Sequence, residues 1–421
     1  NSWREYMLQK VIESLVQILN QDGYTNIVVS DTIKHANFTD YEKRLYTKLV
    51  YGVVENKILL DYLVQPLTSG KRIKPYLKNA IRVGVYSIDY LNIQDHYIVN
   101  SLVQTVKKKD YKASTFLNAI LRKYLELPKR KIATGNYLQD LSIKYSINLE
   151  LVELLQKQYP DCIEEILSVK QDSKQSYRIN TLKTNKEEIA NLLNSKGIDY
   201  QIIDDVILIT KENLINDELF KNGLIVAQDA SSIKVGLVLN PNINTSILDM
   251  CSAPGSKAMH LAAILNNTGK IIACDIYGHK VKLIEENAQK LGVTNVVAKL
   301  LDGKNSSFEK PFDYILMDVP CSGLGVLNHK PDIKYQMTIE KINGIKKDQE
   351  QIVENGLKYL KKGGIVLYST CTINKDENEL FIEKLLRKHP NFKILEELKY
   401  LPTSTNDGFY ICKLKETTNE E

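Results

Sequence analysis

Ile247-Leu-Asp-Met-Cys-Ser-Ala-Pro-Gly-Ser-Lys257 is the stretch whose reading decides the fold. Its first residues form an apolar run over 246–250, suited to a buried strand. A loop of small residues follows and opens an apolar helix carrying Met259, Leu261, Ala262, Ile264 and Leu265. In that strand–turn–helix context a backbone can approach a nucleotide-like ligand closely, with the helix N-terminal N–H groups facing it. Two later segments answer it, Asp318-Val-Pro-Cys-Ser-Gly-Leu-Gly325 and Tyr368-Ser-Thr-Cys-Thr372. Each sets a cysteine, Cys321 or Cys371, at the end of an apolar strand.

Outward from this centre, strand and helix alternate as in a doubly wound parallel sheet. Strands are expected at 246–250, 270–275, 295–301, 312–318 and 364–370, with 392–396 and 409–413 closing the series. Helices are expected at 279–291 and 347–360, the latter stopped by Gly363-Gly364. Ligands of such sheets bind at the carboxyl ends of the strands, where Asp249, Asp275, Asp302, Asp318 and Cys371 fall. A carboxylate placed as Asp275 is accepts both hydroxyls of a ribose, and one placed as Asp302 accepts from an adenine amino group. A single strand-end Asp is as often only a helix cap; several in order are not accidental. The loop has neither the Gly-Lys-Ser/Thr of a triphosphate loop nor a full Gly-x-Gly-x-x-Gly. S-adenosylmethionine (AdoMet) suits it better. The candidate cofactor site is therefore Cys251, Ser252, Ala253, Pro254, Gly255, Ser256 and Lys257, with Asp275, Asp302 and Asp318.

The two strand-end thiols are the sharper signal. A lone cysteine after a strand is usually a small core residue, which is how the thiols of Cys162, Cys251, Cys274 and Cys412 are read. Cys321, however, precedes Ser-Gly-Leu-Gly, and Cys371 sits among Ser369, Thr370 and Thr372. These are turn residues that expose a side chain. A free thiol with a pKa of about 8.5 is only slightly ionised at neutral pH, so nucleophilic use needs a helix N-terminus or a cation nearby. The six histidines show no metal spacing, and no Ser/His/Asp set is legible.

Length and composition set the frame. A chain of 421 residues, 43% hydrophobic and 25% charged, is an ordinary globular protein of two to four domains. Six scattered cysteines make no disulfide framework, which points to the reducing cytosol. No run of 18 apolar residues or secretory leader is present, so no membrane partner is expected. Residues 1–131 carry 21 Lys and Arg against 12 Asp and Glu, whereas 132–230 carry 10 against 16. The basic front end suggests an RNA or phosphate partner. That front also has helical periodicity: Met7, Leu8, Val11, Ile12, Leu15, Val16 and Leu19 share a face, and further apolar faces follow over 44–64, 74–91, 96–107 and 114–125. About five helices are expected, with a capping box at Thr39 and Glu42. Short strands at 176–180, 200–203, 206–210 and 223–228 around a helix at 186–196 suggest a small α+β module. Residues 415–421 read as a frayed polar tail.

Taken together, Leu-Asp-Met-Cys-Ser-Ala-Pro-Gly-Ser-Lys, Met-Asp-Val-Pro-Cys-Ser-Gly-Leu-Gly-Val and Tyr-Ser-Thr-Cys-Thr followed by Glu-Asn-Glu resemble the RNA cytosine-5 methyltransferase superfamily. Arg178-Ile-Asn-Thr-Leu-Lys183 resembles the entry to its RRM-like module. Leu49-Val-Tyr-Gly-Val-Val54 and Phe116-Leu-Asn-Ala-Ile-Leu-Arg122 look like a NusB-type RNA-binding bundle. That fusion, with Lys330-Pro-Asp-Ile-Lys334, is similar to the B-type subgroup of bacterial small-subunit (16S) rRNA cytosine-5 methyltransferases. Ser252 and Ser256 replace an alanine and a glycine common in the family loop, and Asn406 stands where a histidine is common.

The resemblance implies an all-α NusB-like domain over 1–130 and a helical linker over 131–170. An α+β RRM-like module over 171–230 and a class I (Rossmann-like) AdoMet-dependent methyltransferase domain over 231–416 complete it. It further implies a cytoplasmic, monomeric, metal-free enzyme that binds AdoMet and 16S rRNA. In it, Cys371 is the nucleophile toward cytosine C6, Asp318 binds the ring's N3/N4 edge and Cys321 serves product release. The rivals are a cytosine-5 enzyme acting on tRNA or another RNA, an amino-group methyltransferase, and a non-catalytic rRNA-binding assembly factor.

Overall fold

The structure is a computed structural model that describes residues 2–68, 70, 72–91, 95–170 and 174–417. The chain divides into two compact units: Asn1–Ser168 with Leu327–Ile339, and Val169–Val326 with Glu340–Glu421.

The first unit is all helical among its described residues. It contains α1 (Ser2–Asn20), α2 (Thr25–His35), α3 (Asp40–Glu55), α4 (Lys57–Thr68), α5 (Pro75–Tyr90), α6 (Asp95–Lys107) and α7 (Tyr111–Glu126). Next come α8 (Tyr137–Tyr145), α9 (Leu149–Gln158) and α10 (Ile163–Ser168). The periodic apolar residues form its core, with Val11, Ile12, Leu15, Leu49, Val53, Val83 and Leu121 buried. The expected capping box is present: Thr39 Oγ1 accepts from the Glu42 N–H, and Glu42 Oε2 accepts from the Thr39 N–H.

The apolar face over 44–64 belongs to two helices, not one. Asn56 breaks it, because its Nδ2 donates to the Gly52 carbonyl at 2.8 Å and competes with the backbone ladder. Arg82, 3% exposed, forms a two-pronged ion pair with Asp61 at 2.8 and 2.7 Å. The unit also takes in residues 327–339, where α16 (Ile333–Gln336) lies. Tyr335 packs against the helical core, Asn148 Nδ2 donates to the Tyr335 carbonyl at 3.0 Å, and Gln336 Nε2 donates to the Gly23 carbonyl at 3.1 Å.

The second unit opens with a small antiparallel sheet of β1 (Gln175–Ile179), β2 (Tyr200–Ile203), β3 (Ile207–Thr210) and β4 (Ile225–Ala227), in the order β2-β3-β1-β4. Helices α11 (Lys186–Ser195) and α12 (Glu218–Lys221) join it, with Tyr177, Ile189, Leu193 and Leu208 in its core. This is the expected α+β module.

After α13 (Ala230–Leu239) comes a seven-stranded sheet in the order β10-β11-β9-β8-β5-β6-β7. Its strands are β5 (Ser246–Asp249), β6 (Lys270–Asp275), β7 (Val296–Leu300), β8 (Phe312–Asp318), β9 (Leu360–Thr370), β10 (Phe392–Tyr400) and β11 (Phe409–Glu416). The strands from β5 to β9 pair in parallel, and β11 pairs antiparallel with both β9 and β10. Helices α14 (Ser256–Ile264), α15 (Gly278–Leu291), α17 (Ile339–Leu357) and α18 (Glu379–Lys388) connect them. Separate apolar clusters, one around Leu261, Ile284 and Leu316 and one around Met317, Ile352 and Phe381, include residues from opposite faces of the strands, as a doubly wound sheet requires.

Some boundaries differ from expectation. α17 starts at Ile339 and ends at Leu357, and Gly363 lies inside β9 with φ +70°, so the glycine pair bends a strand and does not cap a helix. Residues 415 and 416 belong to β11, paired with Lys393 and Phe392, and the Thr417 N–H donates to the Asn391 carbonyl; residues 418–421 of the expected tail lie outside the described residues.

Candidate functional site

The site is built at the carboxyl ends of β5, β6, β8 and β9. Parallel pairing in register sets Asp249 level with Leu316, and Asp318 level with Ser369. The residues that follow these strands therefore emerge side by side.

After β5 the backbone turns tightly: the Gly255 N–H donates to the Ser252 carbonyl at 2.7 Å, and the Ser252 N–H donates to the Cys274 carbonyl at 2.8 Å. Gly255 is the residue before α14 and has φ +95°, a conformation that favours glycine. The first N–H groups of α14 are thus presented with no side chain in front of them. Asp275, 8% exposed, closes β6 and accepts from the Tyr277 N–H at 3.0 Å. Asp302 lies beyond the end of β7, where it accepts from the Lys304 N–H at 2.9 Å and so forms a turn as well as an acceptor.

Behind the loop, Asp249 is 1% exposed. Burial pushes its carboxyl up to about 7, Asp318 adds to this, and Lys257 opposes it. Burial likewise raises the Cys251 thiol well above the ordinary range, helped by Asp249, Asp318 and Asp275. Cys251 is therefore an inert wall of the loop, in keeping with its reading as a core thiol.

After β8 and β9 come the two thiols. Cys321 Sγ and Cys371 Sγ are 3.2 Å apart, both half-buried and neither in a disulfide. Lys257 Nζ lies 2.7 Å from Asp318 Oδ2, and Ser369 Oγ donates to Asp318 Oδ1 at 2.8 Å. Burial works against the charge of Lys257, but Asp318, then Cys371 and Asp249, hold its pKa above the ordinary lysine value. The Lys257 ammonium is thus held charged beside Asp318. For Cys321, the hydrogen bond with Cys371 comes first, then burial, then the charges of Cys371 and Glu377; all push its thiol well above the ordinary range.

The loops bearing the thiols also meet through backbone. The Gly325 N–H donates to the Cys371 carbonyl at 3.1 Å, and the Gly408 N–H donates to the Gly325 carbonyl at 2.9 Å. A Cβ on Gly325 would lie 2.1 Å from the Gly408 oxygen and 2.8 Å from the Cys371 oxygen.

The candidates named from sequence thus gather at one end of one sheet. Loop 251–257, Asp275 and Asp302 lie toward β6 and β7, while Asp318, Cys321 and Cys371 lie toward β8 and β9. Lys257 comes from the cofactor loop, yet its ammonium reaches the thiol side. Sequence reasoning missed the buried polar residues under the thiols: Ser322, Gln349, Thr372, Asn374 and Glu377. The one available signal was Glu377, which opens the Glu-Asn-Glu stretch of the resemblance and was given no role of its own. Among the described residues no group of three or more His, Cys, Asp or Glu could hold a metal ion, and no helix is long and apolar enough to cross a membrane.

Comparison with known proteins matches this layout segment by segment. Residues 236–415 match the family described as 16S rRNA methyltransferase RsmB/F, residues 4–126 match the NusB family, and residues 151–215 match the RsmF/B-like ferredoxin-like domain. The probable ribosomal RNA small subunit methyltransferase B of Bacillus subtilis is 30% identical over 437 residues, covering 96% of this chain and 97% of its own. The ribosomal RNA small subunit methyltransferase B of Yersinia pseudotuberculosis is 28% identical, covering 96% of each chain. Among solved structures, PH0851 superposes with a TM-score of 0.81 at 24% identity over 96% of this chain and 98% of its own, a likeness of fold. A methyltransferase homologue from Pyrococcus horikoshii gives 0.59 at 25% identity over 68% of this chain and 99% of its own.

Proposed function

Because the chain belongs to the RsmB/F family of rRNA methyltransferases, we propose that it methylates C5 of a cytosine in 16S rRNA through a covalent cysteine adduct. The observation that carries this reading is the thiol pair, with Cys321 and Cys371 3.2 Å apart beside the Lys257–Asp318 ion pair.

The residues fit AdoMet. Asp275 is positioned for the ribose hydroxyls, Gly255 and the start of α14 leave open backbone, and Asp302 offers an acceptor toward β7. When bound, AdoMet supplies the electrophilic methyl that an activated C5 takes up. The protein's own task is to make C5 nucleophilic. The Cys371 thiolate adds to C6, forming an S–C6 bond and pushing the ring electrons toward N3 and C5. Lys257 favours that thiolate and offsets the negative charge that develops toward N3, while Asp318 beside it accepts from the N4 amino group on the N3/N4 edge. After methylation Cys321, as thiolate, helps take up the C5 proton, the ring electrons re-form C5=C6, and Cys371 departs as thiolate. Cys321 Sγ, 3.2 Å from the departing sulfur, is placed to serve this release. The helical unit and the small sheet domain contribute RNA positioning.

The test is a denaturing gel of Cys321→Ala and Cys371→Ala after incubation with AdoMet and small-subunit rRNA. Cys321→Ala should be retained as a slow-migrating RNA adduct and Cys371→Ala should not. The reverse pattern exchanges the thiol roles. Wild-type binding of AdoMet and RNA without methylation brings the assembly-factor reading forward.

A further inference from the structure

Directly under the thiols lies a carboxylate that the mechanism above does not use. Glu377 is fully buried at the end of the short 3-10 turn Lys375–Glu377, and it accepts from both thiol-bearing loops. From the Cys321 loop, the Ser322 N–H donates to Oε1 at 2.8 Å and Ser322 Oγ donates to Oε2 at 2.5 Å. From the Cys371 side, Asn374 Nδ2 donates to Oε2 at 2.8 Å. From α17, Gln349 Nε2 donates to Oε1 at 3.0 Å and also to the Pro320 carbonyl at 2.8 Å, the residue before Cys321. The two loops are further joined above it by Ser322 Oγ and Thr372 Oγ1, 2.7 Å apart. Ser322, Gln349, Thr372 and Asn374 are all fully buried as well.

A carboxylate deep in a protein is costly unless its lone pairs are filled. Here four donors fill them, and they come from three separate chain segments. Burial raises the Glu377 carboxyl, while Ser322, Asn374 and Gln349 oppose that rise. The bonds of this network join its members to one another and to the backbone that carries the sulfurs. A core filled by apolar residues would pack as well, so the network's consequence is geometric specificity.

We propose that Glu377 is a positioning residue that clamps the loops after β8 and β9 together and thereby sets the contact distance between Cys321 and Cys371. The amide of Gln cannot replace it. One of its two polar ends is a donor, and that end would face either Ser322 N–H and Gln349 Nε2 or Asn374 Nδ2 and Ser322 Oγ, so at least one buried donor loses its acceptor. The clamp itself rests on geometry; its kinetic consequence rests on the two-thiol reading above.

The test separates these. Wild type and Glu377→Gln, as the full chain, are treated with diamide, which takes up two electrons and both thiol protons to become the hydrazine while the S–S bond forms. The Cys321–Cys371 link is then timed by mass spectrometry of digested protein. Wild type should close rapidly and Glu377→Gln at least tenfold more slowly. In methyl transfer, Glu377→Gln should lose about 100-fold in kcat with AdoMet affinity within twofold of wild type. A folded Glu377→Gln that closes the disulfide at the wild-type rate overturns the clamp. If wild type methylates no cytosine, the functional reading fails while the closure rates still decide the clamp. Should Glu377→Gln not fold, Ser322→Ala, which removes only the hydroxyl bonds to Glu377 and Thr372, decides it: closure slowed about threefold supports the clamp, and an unchanged rate overturns it.

Discussion

Gly325→Ala adds one methyl group at the point where the thiol-bearing loops meet. The new Cβ would sit 2.1 Å from the Gly408 oxygen, 2.6 Å from its carbonyl carbon and 2.8 Å from the Cys371 oxygen. All three are backbone atoms, so no rotamer change relieves the contact. Ordinary contact requires the Gly408 strand or the Cys371 carbonyl to retreat by about 1 Å, against the hydrogen bonds that hold both. Overpacking of this kind costs about 1–3 kcal/mol. For a unit of this size that corresponds to a Tm loss of roughly 3–10 °C. A misplacement of about 1 Å at the nucleophile costs on the order of 100-fold in rate. Single-turnover transfer of labelled methyl from AdoMet to small-subunit rRNA should fall by about that factor. AdoMet affinity should hold, because Gly255 and Asp275 follow β5 and β6, on the other side of β8 from Cys371 at the same end of the sheet. A Gly325→Ala enzyme with the wild-type single-turnover rate would refute the claim that this backbone contact places Cys371.

The buried Asp249 predicts a pH-dependent stability. Its folded pKa of about 7 lies above the unfolded value of about 3.9, so the stability it contributes is present below about pH 4 and is lost as pH rises through 7. Asp249→Asn should therefore have a higher Tm than wild type at pH 8, with the gap closing at pH 5, and equal gaps at both would contradict the assignment. Asp275→Ala should weaken AdoMet binding 10- to 100-fold by calorimetry, the loss expected for one or two charge-assisted hydrogen bonds, while the diamide closure of the thiols is unchanged. In the helical unit, Asp61→Ala takes the carboxylate from the buried Arg82 guanidinium, which keeps its bond to the Asn79 side chain. Discounted for the partial exposure of Asp61, the loss is about 2–3 kcal/mol. It should be read as faster amide exchange in α5 peptides, and unchanged exchange would contradict it.

The site was legible in sequence wherever a residue's place follows from strand ends. A parallel sheet brings the residues after its strands together, so Asp249, Asp275, Asp318, Cys321 and Cys371 could be grouped without knowing the strand order. Periods of 3.6 and 2 fixed the element types for the same reason. The residues that stayed hidden depend on contacts distant in sequence. Gln349, on the inner face of α17, shows no pattern that separates it from a solvent-facing glutamine until the Pro320 carbonyl and Glu377 are beside it. Glu377 looks like any acidic residue at a helix start. Asn56 divides a continuous apolar face by a local hydrogen bond that periodicity does not register. The placement of residues 327–339 in the helical unit likewise follows from contacts distant in sequence, Gln336 with Ile18 and Gly23 more than 300 residues away and the Tyr335 carbonyl with Asn148.

The central claim is that a thiolate activates cytosine C5, and the most direct measurement follows the hydrogen that C5 must lose. Small-subunit rRNA made with [5-³H]cytidine is incubated with the wild-type chain and AdoMet, and tritium released to water is counted against methyl groups incorporated. The account predicts one tritium released per methyl transferred, with neither from Cys371→Ala. Methyl incorporation without tritium release would place the methyl on another atom and contradict it.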